Sequence, residues 1–580
     1  MNVENILLVY PEFETSFWSM KYLLPYLNKK SSMPPLGILT AAGMFPKNYD
    51  LRIVDMNVRP LTDDDLEWAD AVFTSTMIVQ RRSLGDVAAR CKTANIPIIA
   101  CGPHPTSYWQ EIEGIDHFLL GEVEETLLGF LDDLENGNTK YVYLPPKERP
   151  AITQTPLPRY DLINMRDYGS MLLQFSRGCP FDCEFCDITK LYGRVPRTKT
   201  NEQMLAEFQL LYDLGHRGSL FLVDDNFIGN RRDALRFLNA LIPWQRERNY
   251  PFNLYTEASM NLVEYKELMK AMVAAGFTSV FIGIETPTAE ALITTKKKQN
   301  VGKNDPQYPL HAVQKIQSEG MDVMGGFILG LDGEPPNVFD LHIQFIQAAG
   351  IPIAMEGLLT VLKGTDLYYR MEREGRLLGD TTGTSVNVNI NFLSQMPEEV
   401  LTAGYKRVLN TIYDRSLRNY FERCWNLFQT LDQTNAPRVM STPLTTSELL
   451  SFITHTCRQL FSEQGPAYLH FLGRVLLSKP ALLREALALG AKGHHLRKVT
   501  EQVTAVDDFR HFLVAEFERI REDLAQYVRD SNAQARVATM LSRIQAEYMR
   551  IHEDFRHNVK DARDAFVNSI NQSVREYGHT

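Results

Sequence analysis

From the N-terminus to about residue 362, short apolar runs alternate with stretches of helical spacing, a pattern that restricts the chain to parallel α/β architectures. The first five runs are ILLVYP (6–11), LRIVDMN (51–57), DAVFTSTMI (70–78), PIIACGP (97–103) and HFLLGE (117–122). They read as strands buried on both faces, and SLGDVAARCKTAN (83–95) and EETLLGFLDDL (124–134) as helices between them. Five βα units predict a doubly wound, flavodoxin-like sheet over residues 1–138. Ligands of such sheets sit beyond the carboxyl ends of the strands. The candidates there are Thr74, Ser75, Thr76 and Met77, then Gly102, Pro103, His104 and Thr106, then Gly121 and Glu122.

Proline-rich residues 139–167 predict an extended linker. The alternation resumes over 168–396 with MLLQFS (171–176), SLFLVDD (219–225), FNLYTEAS (252–259), SVFIGIE (279–285), DVMGGFILG (322–330) and AMEGLLTVL (354–362). Six units predict an incomplete TIM-like barrel whose active face lies at the carboxyl ends of its strands. Strand signals then stop, and 397–580 reads as helical, for example through Phe509, Phe512, Leu513, Phe517, Ile520, Leu524 and Tyr527. The plain reading is that these helices cover the barrel and pack on one another.

SRGCPFDCEFCD (176–187) gathers Cys179, Cys183 and Cys186, three of seven cysteines in 580 residues. Seven is odd, Cys91, Cys101, Cys424 and Cys457 are scattered, and a chain of this size needs no staples, so a disulfide framework is excluded. The opening MNVENILLVYPEF lacks the features of a signal peptide, and no apolar stretch approaches the ~18 residues of a membrane span. A reducing, cytoplasmic setting is expected, where clustered thiols serve as ligands. A zinc site would want a second pair of ligands, and none is present. Three thiolates spaced CxxxCxxC hold three irons of a [4Fe–4S] cluster and leave the fourth open for chemistry. The loop follows the first barrel strand and therefore falls on the active face. A formal net charge of −10, without any Lys/Arg-rich block, argues against nucleic acid as a partner.

With Phe185 as the aromatic before the last cysteine, CPFDCEFC resembles the motif of radical S-adenosylmethionine (SAM) enzymes. SRGCPFDCEFCDI, FLVDDNFIGNRRDA, YTEASMNL, FIGIETP and GGFILGLDGEPP resemble, in order, the blocks of the subgroup with an N-terminal cobalamin-binding domain. The likeness is closest to the hopanoid methylase-like branch with a helical C-terminal domain, over roughly residues 1–500. It implies a cluster on Cys179, Cys183 and Cys186, with SAM chelating the open iron and cleaved to a 5′-deoxyadenosyl radical. It further implies SAM contacts from Phe185 near the adenine, and from Asp224 or Asp225 to the methionyl ammonium, in place of the family's Gly-Gly-Glu. Glu257 joins this set, Glu285 meets the ribose, and Gly326, Ile328 and Gly330 bring backbone close to the adenine. Packing beneath the loop is the plain reading of Phe185, and helix capping that of the acids. Cobalamin is implied on 1–138. Many cobalamin domains ligate cobalt through a histidine after the first strand; here that loop reads PEFETSFW (11–18) and has none. His104 is placed for the nucleotide tail, and the corrin is expected base-off with no histidine on cobalt.

The function implied is a cobalamin-dependent radical SAM C-methyltransferase acting on an unactivated carbon. Cyclisation or carbon–carbon coupling without methyl transfer is the alternative, and an iron–sulfur sensor the non-enzymatic one. A methylthiotransferase would need three N-terminal cysteines where only Cys91 and Cys101 exist. The expected partners are a small-molecule or lipid-like substrate and a reductant such as flavodoxin or ferredoxin. FITHTCRQLF, AYLHFLGRVLLSKPALLREALALG and KGHHLRKV alternate apolar faces with Lys, Arg and His, so weak peripheral contact at the inner membrane face is also expected.

Overall fold

A computed structural model describes residues 3–302, 304–379, 381, 383, 386, 390–432, 437, 445–521 and 533–577. The first sheet is all-parallel and comprises β1 (Asn5–Tyr10), β2 (Asp50–Asp55), β3 (Ala71–Ser75), β4 (Ile98–Cys101), β5 (His117–Leu119) and β6 (Val142–Tyr143), ordered β2-β1-β3-β4-β5-β6. Ile6, Leu8, Phe73 and Ile99 pack toward one face, and Leu7, Val9, Val72 and Ala100 toward the other. Strands covered on both faces are apolar at every position, which is why their period is invisible. The order reverses between β1 and β3, the switch point where such sheets bind ligands. β6 is an addition: its two residues lie in the segment expected to be a linker, too short a run to stand out beside Pro145 and Pro146.

The second sheet holds β7 (Met171–Leu173), β10 (Gly218–Leu222), β11 (Phe252–Glu257), β12 (Phe277–Glu285), β13 (Asp322–Leu329) and β14 (Ala354–Leu358). All neighbours are parallel in the order β14-β13-β12-β11-β10-β7, and β7 does not pair with β14, so the barrel is open, with six strands in the expected places. The sequence did not announce the ladder of β8 (Ser176–Arg177) and β9 (Arg197–Thr198), antiparallel and two residues long.

Helices follow from Glu398–Ile412 to Glu553–Tyr577. They share one continuous core with the barrel. The Tyr413 hydroxyl accepts the Ala354 N–H at 2.9 Å, and fully buried Arg423 donates to the carbonyls of Ile351 and Ile412. Phe509 and Leu513 are buried as the spacing predicts, whereas Phe517 is exposed. The Ile520 side chain, Leu524 and Tyr527 lie outside the described residues. Residues 11–35, between β1 and the helix Leu36–Ala42, form a strap across the molecule. It sends Phe17 into the barrel core, lays the Trp18 ring 4.6 Å from that of Phe281, and takes a hydrogen bond from His495 to the Phe17 carbonyl at 3.1 Å. Among the described residues no helix is long and apolar enough to cross a membrane.

Candidate active site

The β8–β9 ladder closes the neck of loop 178–196, which carries the three cysteines. Gly178 has φ +97°, and a Cβ there would lie 2.9 Å from the Gly193 carbonyl oxygen, so glycine is required. The Cys179 N–H donates to the Gly193 carbonyl at 3.1 Å and the Cys186 N–H to that of Cys183 at 3.2 Å, which winds the loop. The three thiols are unbridged and partly buried, and Cys183 is an electrostatic neighbour of both others. Burial raises the Cys179 and Cys186 thiols above their ordinary range, a preference that a bound metal reverses. The Asn226 amide stands 3.8 Å from Cys179 Sγ and the Gln299 amide 3.4 Å from Cys183 Sγ, donors of the kind that tune iron–sulfur clusters. Among the described residues no three His, Cys, Asp or Glu side chains converge on a single ion. Three thiols spread round one loop suit the corners of a multi-iron cluster.

Above the loop, the strand ends present carboxylates. Asp224 is committed inward: its oxygens accept the Phe175 N–H and the Ser176 hydroxyl, both at 2.7 Å, and burial pushes it up to about 7. Asp225 accepts the Gly178 N–H at 2.6 Å and is pushed up by burial to about 6. Both aspartates thus hold the neck of the cysteine loop. Glu257, at the end of β11, makes no side-chain hydrogen bond among the described residues; burial, then Asp225 and Asp224, push it up to about 8. A buried, protonated carboxyl beside two others is poised to ionise against a cationic ligand such as the ammonium or sulfonium of SAM.

On β12 the alternation points Phe281, Gly283 and Glu285 into the lumen. The ladder to β13 slips between Gly283 and Glu285, a bulge that leaves Glu285 at φ +66° and re-aims its carboxylate. Its Oε1 accepts from Lys297 at 2.6 Å. Burial works against the charge on Lys297, but Glu285, Cys183 and Cys186 outweigh it and hold the ammonium protonated. The Lys297 Nζ lies 5.8 Å from the Phe185 ring centroid. The structure therefore brings Glu285 together with Lys297, a residue that sequence reasoning missed. It is the middle member of Lys296-Lys297-Lys298, a run that reads as a solvated face. Phe185 and Ile328 pack against one apolar cluster. Gly326 faces Phe281, whose Cζ would be 2.8 Å from an added Cβ, and Gly330 has φ +94° with its N–H on Glu334 at 2.9 Å. Midway down the lumen Phe221 stacks on Tyr255 with centroids 4.6 Å apart and Phe281 lies beside Met324 in the register; one step lower Ser279 pairs with Asp322, a carboxyl that burial pushes up to about 6.

At the carboxyl edge of the first sheet most of the candidates meet. The His104 N–H donates to the Thr76 carbonyl at 3.0 Å, and Gly102, at φ +98°, approaches Ser75 and Thr76 too closely for a Cβ. The Thr106 hydroxyl donates to the Gly102 carbonyl at 2.7 Å and accepts the Gly121 N–H at 2.9 Å. Pro103 opens the helix Pro103–Tyr108, and Met77 is exposed. Two buried polar atoms here, Thr76 Oγ1 and His104 Nδ1, have no hydrogen-bond partner among the described residues. Orphaned hydrogen-bonding groups at a switch point fit an amide-rich ligand such as a corrin or its nucleotide tail. Burial pulls His104 down to about 4, so its ring is neutral. Thr74 and Glu122 stand apart from this group. Thr74 is fully buried with its hydroxyl on the Ile99 carbonyl. Glu122 faces the barrel, where its carboxylate is taken up by Arg177 at 2.8 Å and Arg197 at 2.7 Å, and Glu124 also reaches Arg177 at 2.8 Å. These arginines lie on β8 and β9, so the edge of the first sheet is bolted to the neck of the cysteine loop.

The radical SAM superfamily model matches residues 173–346, and a domain of unknown function, DUF4070, matches 365–507. An uncharacterized methyltransferase of Synechocystis sp. is 38% identical over 503 residues, 86% of this chain and 92% of the relative. The hopanoid C-2 methylase of Rhodopseudomonas palustris is 36% identical over 414 residues, 70% of this chain and 77% of the relative. Two solved structures share the fold. The radical SAM methyltransferase TsrM of Kitasatospora setae, with cobalamin and a [4Fe-4S] cluster bound, has TM-score 0.52 at 13% identity over 86% of this chain and 99% of that one. The cobalamin-dependent SAM radical enzyme OxsB, with aqua-cobalamin and SAM bound, has TM-score 0.54 at 13% identity over 99% and 84%.

Proposed function

The chain belongs to the radical SAM enzymes, in the methyltransferase family of the hopanoid C-2 methylase, and from that membership we propose that it methylates an unactivated carbon of a lipid-like or isoprenoid substrate. Bound together, a cluster, SAM and cobalamin supply hydrogen abstraction from carbon and a methyl group to replace it. The residues of this chain provide the setting. Cys179, Cys183 and Cys186 hold the cluster, with Asn226 and Gln299 donating toward sulfur. Glu257 and Asp225 receive the cationic end of SAM, and Lys297 its carboxylate, with Glu285 orienting the lysine and reaching the ribose. Backbone at Gly326, Ile328 and Gly330 accommodates the adenine. The orphaned Thr76 and His104 atoms, with Ser75, Gly102, Pro103, Thr106 and Gly121, hold the corrin edge or its tail. The loop after β1, residues 11–18, holds no histidine, so that loop would offer no nitrogen to a bound cobalt.

The observation that carries the substrate class is the lumen below the acidic rim. It is ringed by Phe221, Tyr255, Phe281 and Met324 and approached by Trp18, an apolar girdle suited to a hydrocarbon. Reconstituted protein should be incubated anaerobically with SAM, reductant, methylcobalamin and isoprenoid lipids, and the lipids weighed by mass spectrometry. A gain of one CH2 unit supports methylation. A loss of hydrogen alone identifies cyclisation or coupling instead, and methylation confined to polar metabolites removes the lipid reading.

A further inference from the structure

The helices Thr446–Leu460 and Gly465–Ser478 form a hairpin whose amphipathicity is met on only one side. Inward, Tyr468 and Phe471 stack on Phe421 of the helix Arg418–Thr430, with centroids 5.1 and 5.3 Å away. Outward, Leu450, Ile453, Phe461, Leu469, Leu476 and Leu477 are exposed, Phe461 to 92% and Leu477 to 90%. Residues 445–485 carry four basic and three acidic side chains, in a chain whose net charge is −10. Glu448 is paired with Lys29 at 2.9 Å and Glu463 with Arg415, and one carboxylate oxygen of Glu485 is buried. Arg458 and Arg484 are exposed and make no ion pair among the described residues.

We propose that this hairpin is a docking surface for an anionic lipid bilayer, with Phe461 and Leu477 entering the interfacial region and Arg458 and Arg484 meeting the headgroups. Exposed apolar side chains flanked by free cations are the signature of an interfacial helix pair. An array of exposed apolar side chains suits a fluid surface, which needs no shape complementarity. A second copy of the chain is a poor occupant, because a two-fold contact through this face brings arginines against arginines. The strap ties the face to the barrel. The Tyr26 hydroxyl donates to Gln459 Oε1 at 3.3 Å, the Ser451 hydroxyl to the Pro25 carbonyl at 2.6 Å, and the same segment places Trp18 on Phe281 of the lumen. The proposal deepens the lipid-substrate reading and rests on it only for the use to which docking is put.

The test is co-sedimentation of the full-length reconstituted protein with phosphatidylglycerol/phosphatidylcholine vesicles and with phosphatidylcholine vesicles alone. Wild type should pellet with the anionic vesicles at low salt and be released as the screening length shortens. F461S/L477S should weaken binding at least tenfold while converting SAM to 5′-deoxyadenosine at the wild-type rate, and R458Q/R484Q should abolish the preference for anionic vesicles. Equal pelleting of wild type and F461S/L477S, absence of wild-type binding at low salt, or a wild-type dimer that F461S/L477S disperses would each overturn the proposal. Vesicle binding without methylated lipid would refute the substrate reading and leave docking intact; methylated lipid without vesicle binding would do the reverse.

Discussion

Glu122→Gln tests whether the first sheet is physically coupled to the cysteine loop. The Glu122 side chain is 4% exposed and faces Arg177 at 13% and Arg197 at 18%, with contacts of 2.8 and 2.7 Å. Removing one partner of a buried pair costs about 3–5 kcal/mol. Glu124 still reaches Arg177 at 2.8 Å, so half the clamp survives, and the loss should be about 2–4 kcal/mol. Asp133→Asn, which loosens the exposed pair with Lys140, is the control and should leave the unfolding midpoint nearly unchanged. Urea unfolding of the reconstituted protein reads both. Because Arg197 keeps, among the described residues, the Pro150 and Tyr192 carbonyls alone, the neck of the loop should also lose register against the carboxyl edge of the first sheet. Cleavage of SAM to 5′-deoxyadenosine should then persist while methylated product falls at least tenfold. An unchanged unfolding midpoint together with intact coupling would show that Glu122 is no clamp.

Replacing Cys179, Cys183 or Cys186 by Ala should abolish the single [4Fe–4S] cluster, whereas Ala at Cys91, Cys101, Cys424 or Cys457 should leave iron and sulfide content unchanged; a fourth essential cysteine would break the ligand assignment. Asp225, Asp224 and Glu257 sit at about 6, 7 and 8, above their ordinary values near 4, so the folded chain holds their protons more tightly. The stability they contribute is complete below pH 4 and is lost as pH rises through 6 to 8, so the cofactor-free chain should melt at lower temperature at pH 8.5 than at pH 6. Glu257→Gln should flatten that slope, and an unaltered slope would refute the carboxylate cluster. Glu285→Ala should weaken SAM binding by roughly 1–3 kcal/mol. Because Lys297 is bonded to it, the double variant with Lys297→Met should cost less than the sum of the two singles; strict additivity would contradict the pairing.

The βα alternation was legible because strands buried on both faces are apolar at every position, and all eleven expected strands lie where the runs do. β6, β8 and β9 escaped because two-residue ladders leave no periodic trace. The cysteine loop was legible from spacing alone. What the sequence hid were partnerships across long separations. Lys297 stands in a run of three lysines, and only the fold turns it onto Glu285. Glu122 looked like part of a ligand edge until Arg177 and Arg197, more than fifty residues on, claimed it. Side-chain commitments of this kind depend on tertiary placement, which local pattern does not encode.

The central claim, that cleavage of SAM at the cysteine loop is coupled to methyl delivery from the first sheet, is tested most directly by product stoichiometry with SAM bearing a deuterated methyl group. In anaerobic turnover, S-adenosylhomocysteine and 5′-deoxyadenosine should form in equal amounts, each matched by one product molecule carrying the labelled methyl. 5′-Deoxyadenosine accumulating with a product that has lost hydrogen and gained no label, and with no S-adenosylhomocysteine, would contradict it.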